Sequence, residues 1–255
     1  MKTRLLALLS ILVSSITANA ALVERSVEYQ QGDTVLEGFH VYDDAVTGKR
    51  PAVLVVHQWT GLTNYEKKRA RMLAELGYNV FAADVYGKGV RPPAPEASGK
   101  EAGKYKNDRA LYRARLMAAL EVLQKDERTE ASKIAAIGYC FGGTGVLELA
   151  RAGAPVAGVV SFHGGLDAGE GFAAKADVKM PKILVLHGAD DPFVPPAQVA
   201  AFEKEMKDAG ADMKLVSYEG AVHAFCHAIP DTWHQMGVIL SATDSLNWLA
   251  GITGQ

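Results

Sequence analysis

The sequence predicts a single α/β domain built on a mostly parallel, doubly wound sheet with helices on both faces. Two observations carry this. Short, continuous apolar runs such as Ala52-Val53-Leu54-Val55-Val56 and Ile183-Leu184-Val185-Leu186 read as strands buried on both faces. Longer segments with helical periodicity lie between such runs, so strand and helix alternate along the chain. A length of 255 residues suits one domain of this kind with a substantial core.

The first twenty residues stand apart from that domain. Lys2 and Arg4 are basic, residues 5–13 are apolar, and Ala18-Asn19-Ala20 is a run of small residues. This is the pattern of a secretory signal peptide cut after Ala20, leaving a domain over 21–255 and an exported protein, periplasmic or secreted. The apolar stretch is short for a spanning helix, and no later run is long enough to cross a membrane, so no membrane association is expected once the leader is removed.

Within the domain, 27–29 and 36–42 read as a hairpin about Gln31-Gly32-Asp33. The strand at 52–56 is followed by a helix over 64–76, which Gly77 stops. A strand over 79–83 ends at Asp84. A helix over 108–124 carries Leu111, Leu116, Leu120 and Leu123 on its apolar face. Then come a strand over 133–137, a helix over 144–151, and strands over 156–162 and 183–186. A helix over 196–209, a strand over 214–218 and a helix over 232–249 complete the series. The segment 87–106 is rich in Pro, Gly and Lys and reads as a loop. It is either a flap that draws in an anionic substrate or a solvated surface loop.

Composition removes some functions. The formal charge is −2, with 27 basic against 29 acidic residues, so the basic footprint of a nucleic-acid binder is missing. Two cysteines, Cys140 and Cys226, make no disulfide framework.

In a doubly wound sheet, ligands bind beyond the carboxyl ends of the strands. The most informative such place is Gly138-Tyr139-Cys140-Phe141-Gly142-Gly143, between a strand and a helix. It has the form of a nucleophile elbow with Cys in place of Ser. Glycine flanks allow a turn so tight that side chains there would strike the neighbouring strand and helix. The helix N-terminus behind Cys140 favours negative charge on its sulfur. A buried, inert Cys at a strand end is the plainer alternative.

A thiol nucleophile needs a base and a group that orients the base. Downstream, His187-Gly188-Ala189-Asp190-Asp191-Pro192 supplies two acids after a strand, and Gly220-Ala221-Val222-His223 supplies a His after the last strand. Cys140, Asp191 and His223 form a coherent triad in the order nucleophile, acid, His, with Asp190 as the rival acid. The oxyanion hole is expected from the backbone N–H groups of Phe141 and Trp59. His57, His163 and His187 also follow strands. The H-E-x-x-H pattern and the usual Cys/His ligand spacings are missing, so neither a metal nor another cofactor is expected.

These blocks, with His57-Gln58-Trp59-Thr60-Gly61-Leu62, Ala83-Asp84-Val85-Tyr86-Gly87-Lys88-Gly89, Asp191-Pro192-Phe193-Val194-Pro195 and His223-Ala224-Phe225, together resemble the dienelactone hydrolase family over nearly the whole domain. The resemblance implies an α/β-hydrolase fold, no cofactor, and a Cys–His–Asp triad acting on a small ester or lactone. It also implies substrate-binding roles for three positions. Gln58 stands where the best-known members carry a Glu that interacts with the resting thiol. Lys88 and His227 stand where they carry two arginines that bind the lactone carboxylate. The expected activity is therefore hydrolysis of small esters or lactones through an acyl-thioester. A broader carboxylesterase or peptidase, and a binding or redox protein using Cys140 with Cys226, are the alternatives.

Overall fold

The computed structural model describes residues 21–227 and 232–254, and only the backbone of 232–242. The leader expected over residues 1–20 lies outside the described residues. Eight strands form one sheet, β1 (Leu22–Gln31), β2 (Thr34–Asp43), β3 (Arg50–Val56), β4 (Asn79–Ala83), β5 (Thr129–Tyr139), β6 (Gly158–Phe162), β7 (Lys182–Gly188) and β8 (Met213–Tyr218). Their spatial order is β1-β2-β4-β3-β5-β6-β7-β8. The β1–β2 hairpin joins β4 antiparallel, and every pair from β4 to β8 is parallel.

The central strands are apolar throughout because both faces are covered. In β3, Ala52, Leu54 and Val56 enter the core on one face, and Val53 and Val55 enter the core on the other. Two helices cover the second face, α1 (Asn64–Ala74) and α6 (Thr232–Thr253), through Ala70, Leu73, Ala74 and Leu249. The first face is covered by α3 (Arg109–Lys125), α4 (Phe141–Arg151) and α5 (Pro196–Asp208), through Tyr112, Leu116, Leu120, Val146, Leu147, Phe202 and Met206. The α1 N-terminus is closed by a capping box between Thr63 and Glu66, and Gly77 follows its end at φ +90°. No helix among the described residues is long and apolar enough to cross a membrane.

The loop expected over 87–106 is half helix. Pro95–Asn107 forms α2, with Pro95 at its first position and Ala102 and Tyr105 buried against α3 and its neighbours. Gly99 and Gly103 weaken its intrinsic preference, and packing of its small inner face supplies the stability instead.

A buried ionic cluster holds α4 in place. Glu148 takes Arg113 of α3 at 2.8 Å and Arg151 at 3.1 Å, and Arg151 reaches Glu205 of α5 at 2.8 Å. The helix behind the elbow is thus tied to its neighbours on both sides.

Candidate active site

The site is assembled by the turn between β5 and α4. Cys140 adopts φ +53° and ψ −110°, a region that L side chains rarely occupy. Its flanks show why the turn needs glycine. A Cβ on Gly138 would lie 2.0 Å from the carbonyl oxygen of Gly142, and one on Gly142 would lie 2.3 Å from that of Val56. The turn is fixed from below: Cys140 N–H donates to the Phe162 carbonyl at 3.0 Å, and Tyr112 Oη donates to the Phe141 carbonyl at 2.6 Å. Cys140 therefore projects from the crest of the turn, at the N-terminus of α4.

Three side chains from three loops meet there. His223 Nε2 lies 3.1 Å from Cys140 Sγ, and His223 Nδ1 donates to Asp191 Oδ2 at 2.8 Å. Asp191 is buried and its second oxygen accepts the Phe193 N–H at 2.9 Å. Its neighbour Asp190 is exposed, so of the two acids only Asp191 reaches the imidazole. Burial works against charge on His223, but its hydrogen bonds to Asp191 and Cys140 outweigh that and raise it to about 9. Burial also pushes Asp191 up, and the bonds from His223 and Phe193 prevail, holding it below the usual carboxylate range. The line can deliver a thiolate and store its proton on an imidazolium.

Cys140 and His223 open into a cavity of about 350 Å³. Trp59 from the loop after β3, Gly99, Gly103 and Lys106 from α2, and Phe193 and Gln198 form much of its wall. Phe193 is 71 % exposed and stands edge-on to His223, with ring centroids 5.0 Å apart. The loop carrying Trp59 is pinned by Tyr86 Oη, which donates to the Trp59 carbonyl at 2.9 Å. In sequence the segment that holds most of α2 reads as a flap or a surface loop and its helix is missed, although Pro95 followed by Glu and Ala is a helix-start signal.

The three expected substrate-binding residues are not among those lining this cavity. Lys88 pairs with Glu28 and lies 4.0 Å from Glu37, on the hairpin edge. Gln58 turns its amide to the buried carboxylate of Glu66 at 3.4 Å. His227 tilts against Tyr65, centroids 4.4 Å apart.

The other histidines divide by role. His57 is fully buried, accepts the Val85 N–H at 3.1 Å and stacks on Phe141. His187 is buried, and burial lowers its pKa. His163 follows β6 at φ +40°, with its Nε2 3.1 Å from Cys226 Sγ and its ring 4.8 Å from that of His223. Burial, reinforced by His223 and His227, holds His163 well below the ordinary imidazole range, and burial pushes the Cys226 thiol up to about 12. Both cysteines are free thiols.

Comparison with known proteins identifies relatives of this chain. The model of the dienelactone hydrolase family matches residues 36–252. A probable 2-oxo-3-(5-oxofuran-2-ylidene)propanoate lactonase of Bradyrhizobium sp. is 27% identical over 216 residues, covering 80% of this chain and 85% of that protein. A putative carboxymethylenebutenolidase of Aquifex aeolicus is 28% identical, covering 69% and 76%. Among solved structures, a dienelactone hydrolase-like promiscuous phosphotriesterase from metagenomic libraries superposes with a TM-score of 0.82 at 37% identity, covering 91% of this chain and 99% of that one.

Proposed function

This chain belongs to the dienelactone hydrolase family and is an ester-bond hydrolase; from that premise we propose that it is an exported enzyme that cleaves small esters or lactones with Cys140, His223 and Asp191 as its triad. The observation that carries the reading is the continuous hydrogen-bonded line from Asp191 through His223 to Cys140 at the mouth of a small cavity.

The proposed steps are these. Cys140 Sγ, its proton held by His223, attacks the substrate carbonyl carbon. The oxyanion that forms is stabilised by the N–H groups of Phe141, at the start of α4, and Trp59, in the cavity wall. Collapse of the tetrahedral adduct breaks the C–O bond, and His223 gives its proton to the leaving alkoxide. An acyl-thioester on Cys140 remains. His223, now neutral, takes a proton from water as that water attacks the thioester; collapse of this second adduct breaks the C–S bond, Cys140 leaves as the thiolate beside protonated His223, and the acid product departs. Asp191 holds His223 in the tautomer this requires and stabilises the imidazolium. Lys106 is a cation in the cavity wall, so a substrate bearing a carboxylate is favoured over a neutral one.

A second reading, phosphotriester cleavage by the same thiolate, draws on the similarity to a phosphotriesterase at 37% identity. The test is turnover of nitrophenyl acetate, a panel of lactones and a nitrophenyl phosphotriester by the chain from Ala21, against Cys140→Ala. Loss of ester and lactone turnover in the variant supports the triad. Undiminished turnover would remove Cys140 from the chemistry. Export is tested separately: the exported protein should begin Ala21-Leu22-Val23, and an intact Met1 would contradict it.

A further inference from the structure

The catalytic line uses one thiol and one of two adjoining imidazoles, and a second set of soft ligands lies directly behind it. One donor atom on each of His163, Cys226 and His227 falls within 4.8 Å of the others. His163 Nε2 and Cys226 Sγ are already 3.1 Å apart. His163 and Cys226 are 1% and 2% exposed, and His163 Nδ1 has no hydrogen-bond partner in the structure. His163 is held at φ +40°, a region where glycine would be unstrained, so the fold keeps this side chain at some backbone cost. Four-coordinate zinc takes its nitrogen donors at about 2.0–2.1 Å and its sulfur donors at about 2.3 Å. Donors around such an ion stand roughly 3.3–3.8 Å apart by that geometry, so the His163–Cys226 pair need open by only a few tenths of an ångström and no pair need close by more than about an ångström and a half. A separate cavity of about 310 Å³, lined by Leu73, Glu75, Tyr139 and Leu249 among others and by the Arg69 guanidinium, reaches Cys226 and shares no lining residue with the cavity at Cys140.

We propose that His163, Cys226 and His227 form a binding site for a thiophilic divalent cation of the zinc type, separate from the nucleophile. The sequence gives no sign of it, because the ligands are a lone His after β6 and an adjacent Cys-His pair 63 residues later. A bound ion sits one ring from His223 and opposes the imidazolium that the proposed acyl transfer needs, so occupation slows ester turnover. That consequence rests on the triad reading; the site itself does not.

Cobalt(II) is the probe, since a thiolate bound to it gives a charge-transfer absorption in the near ultraviolet. The chain has two cysteines, so each single variant leaves one possible thiolate donor. In Cys140→Ala the absorption is expected to appear on titration and to be displaced by zinc. In Cys226→Ser it is expected to be missing, with the circular dichroism spectrum unchanged. Absorption in Cys226→Ser but not in Cys140→Ala would put the ion on the nucleophile and overturn the proposal, as would its absence from both. For the consequence, zinc is expected to inhibit the wild-type chain, and Cys226→Ser to raise the half-inhibitory concentration at least tenfold; equal sensitivity would overturn the coupling while leaving the cobalt result to decide the site.

Discussion

A side chain on Gly138 would place its Cβ 2.0 Å from the carbonyl oxygen of Gly142, so the strand and the helix of the elbow touch through a gap that only hydrogen fits. The obstacle is backbone, which has no rotamer to turn away. Gly138→Ala is expected to lose about 3 kcal/mol of stability and most ester turnover. Gly103→Ala, on α2 with nothing within 4 Å of the added Cβ, should gain roughly 0.5–1 kcal/mol. Urea titrations of both variants decide this; equal stabilities would mean that the elbow relaxes freely.

Asp191 and Asp190 are adjacent, yet only the first bonds to His223. Asp191→Asn removes the acceptor that fixes the imidazole tautomer and should lower kcat by roughly 10²–10⁴-fold. His223→Ala should cost at least about 10³-fold. Asp190→Asn should stay within about twofold, as its side chain is exposed. Steady-state kinetics on nitrophenyl acetate measures all three, and a large loss in Asp190→Asn would reassign the acid.

The His223–Asp191 pair also sets a pH window for stability. His223 is raised to about 9 in the folded chain, from about 6.5 unfolded. Its contribution is therefore full below about 6.5 and is lost as pH rises through about 9. Asp191 is lowered, so its contribution is present above its unfolded value of about 3.9 and is lost as pH falls through the folded one. The stability difference between wild type and His223→Ala should then be largest between about pH 4 and 6.5 and shrink toward pH 9. A difference that grows with alkalinity would contradict this sign. On the alkaline side kcat/KM should also fall through about pH 9, as the imidazolium that protonates the leaving group is lost from the free enzyme.

Lys88 and Lys106 are differently placed relative to the cavity. Lys88 is engaged with Glu28 on the hairpin, whereas Lys106 lines the cavity and makes no ion pair among the described residues. Lys106→Ala should raise KM for carboxylate-bearing esters roughly fivefold, as befits an exposed charge pair worth about 1 kcal/mol, with neutral esters unaffected. Lys88→Ala should change neither. Paired kinetics on a neutral and an anionic ester of the same alcohol makes the comparison; an equal rise in both KM values would leave Lys106 a wall residue only.

The sequence by itself determined what is local. Buried parallel strands must be apolar over their whole length, so β3, β4 and β7 were legible as runs. The elbow was legible because its constraint acts within five residues, Gly138 against Gly142. The order Cys140, Asp191, His223 was legible because each follows a strand, and parallel strands deliver their carboxyl ends to one edge. What only the tertiary structure decided acts through space. Neighbouring residues on a turn point in different directions, so Asp191 rather than Asp190 meets His223 once β7 and β8 are packed. Helix α2 carries two glycines and a thin apolar face, a pattern too weak to read, and tertiary packing makes it a cavity wall with Lys106. His163, Cys226 and His227 share no spacing rule, and they converge because the chain after β8 folds back over the end of β6, where side chains far apart in sequence compete for one buried volume.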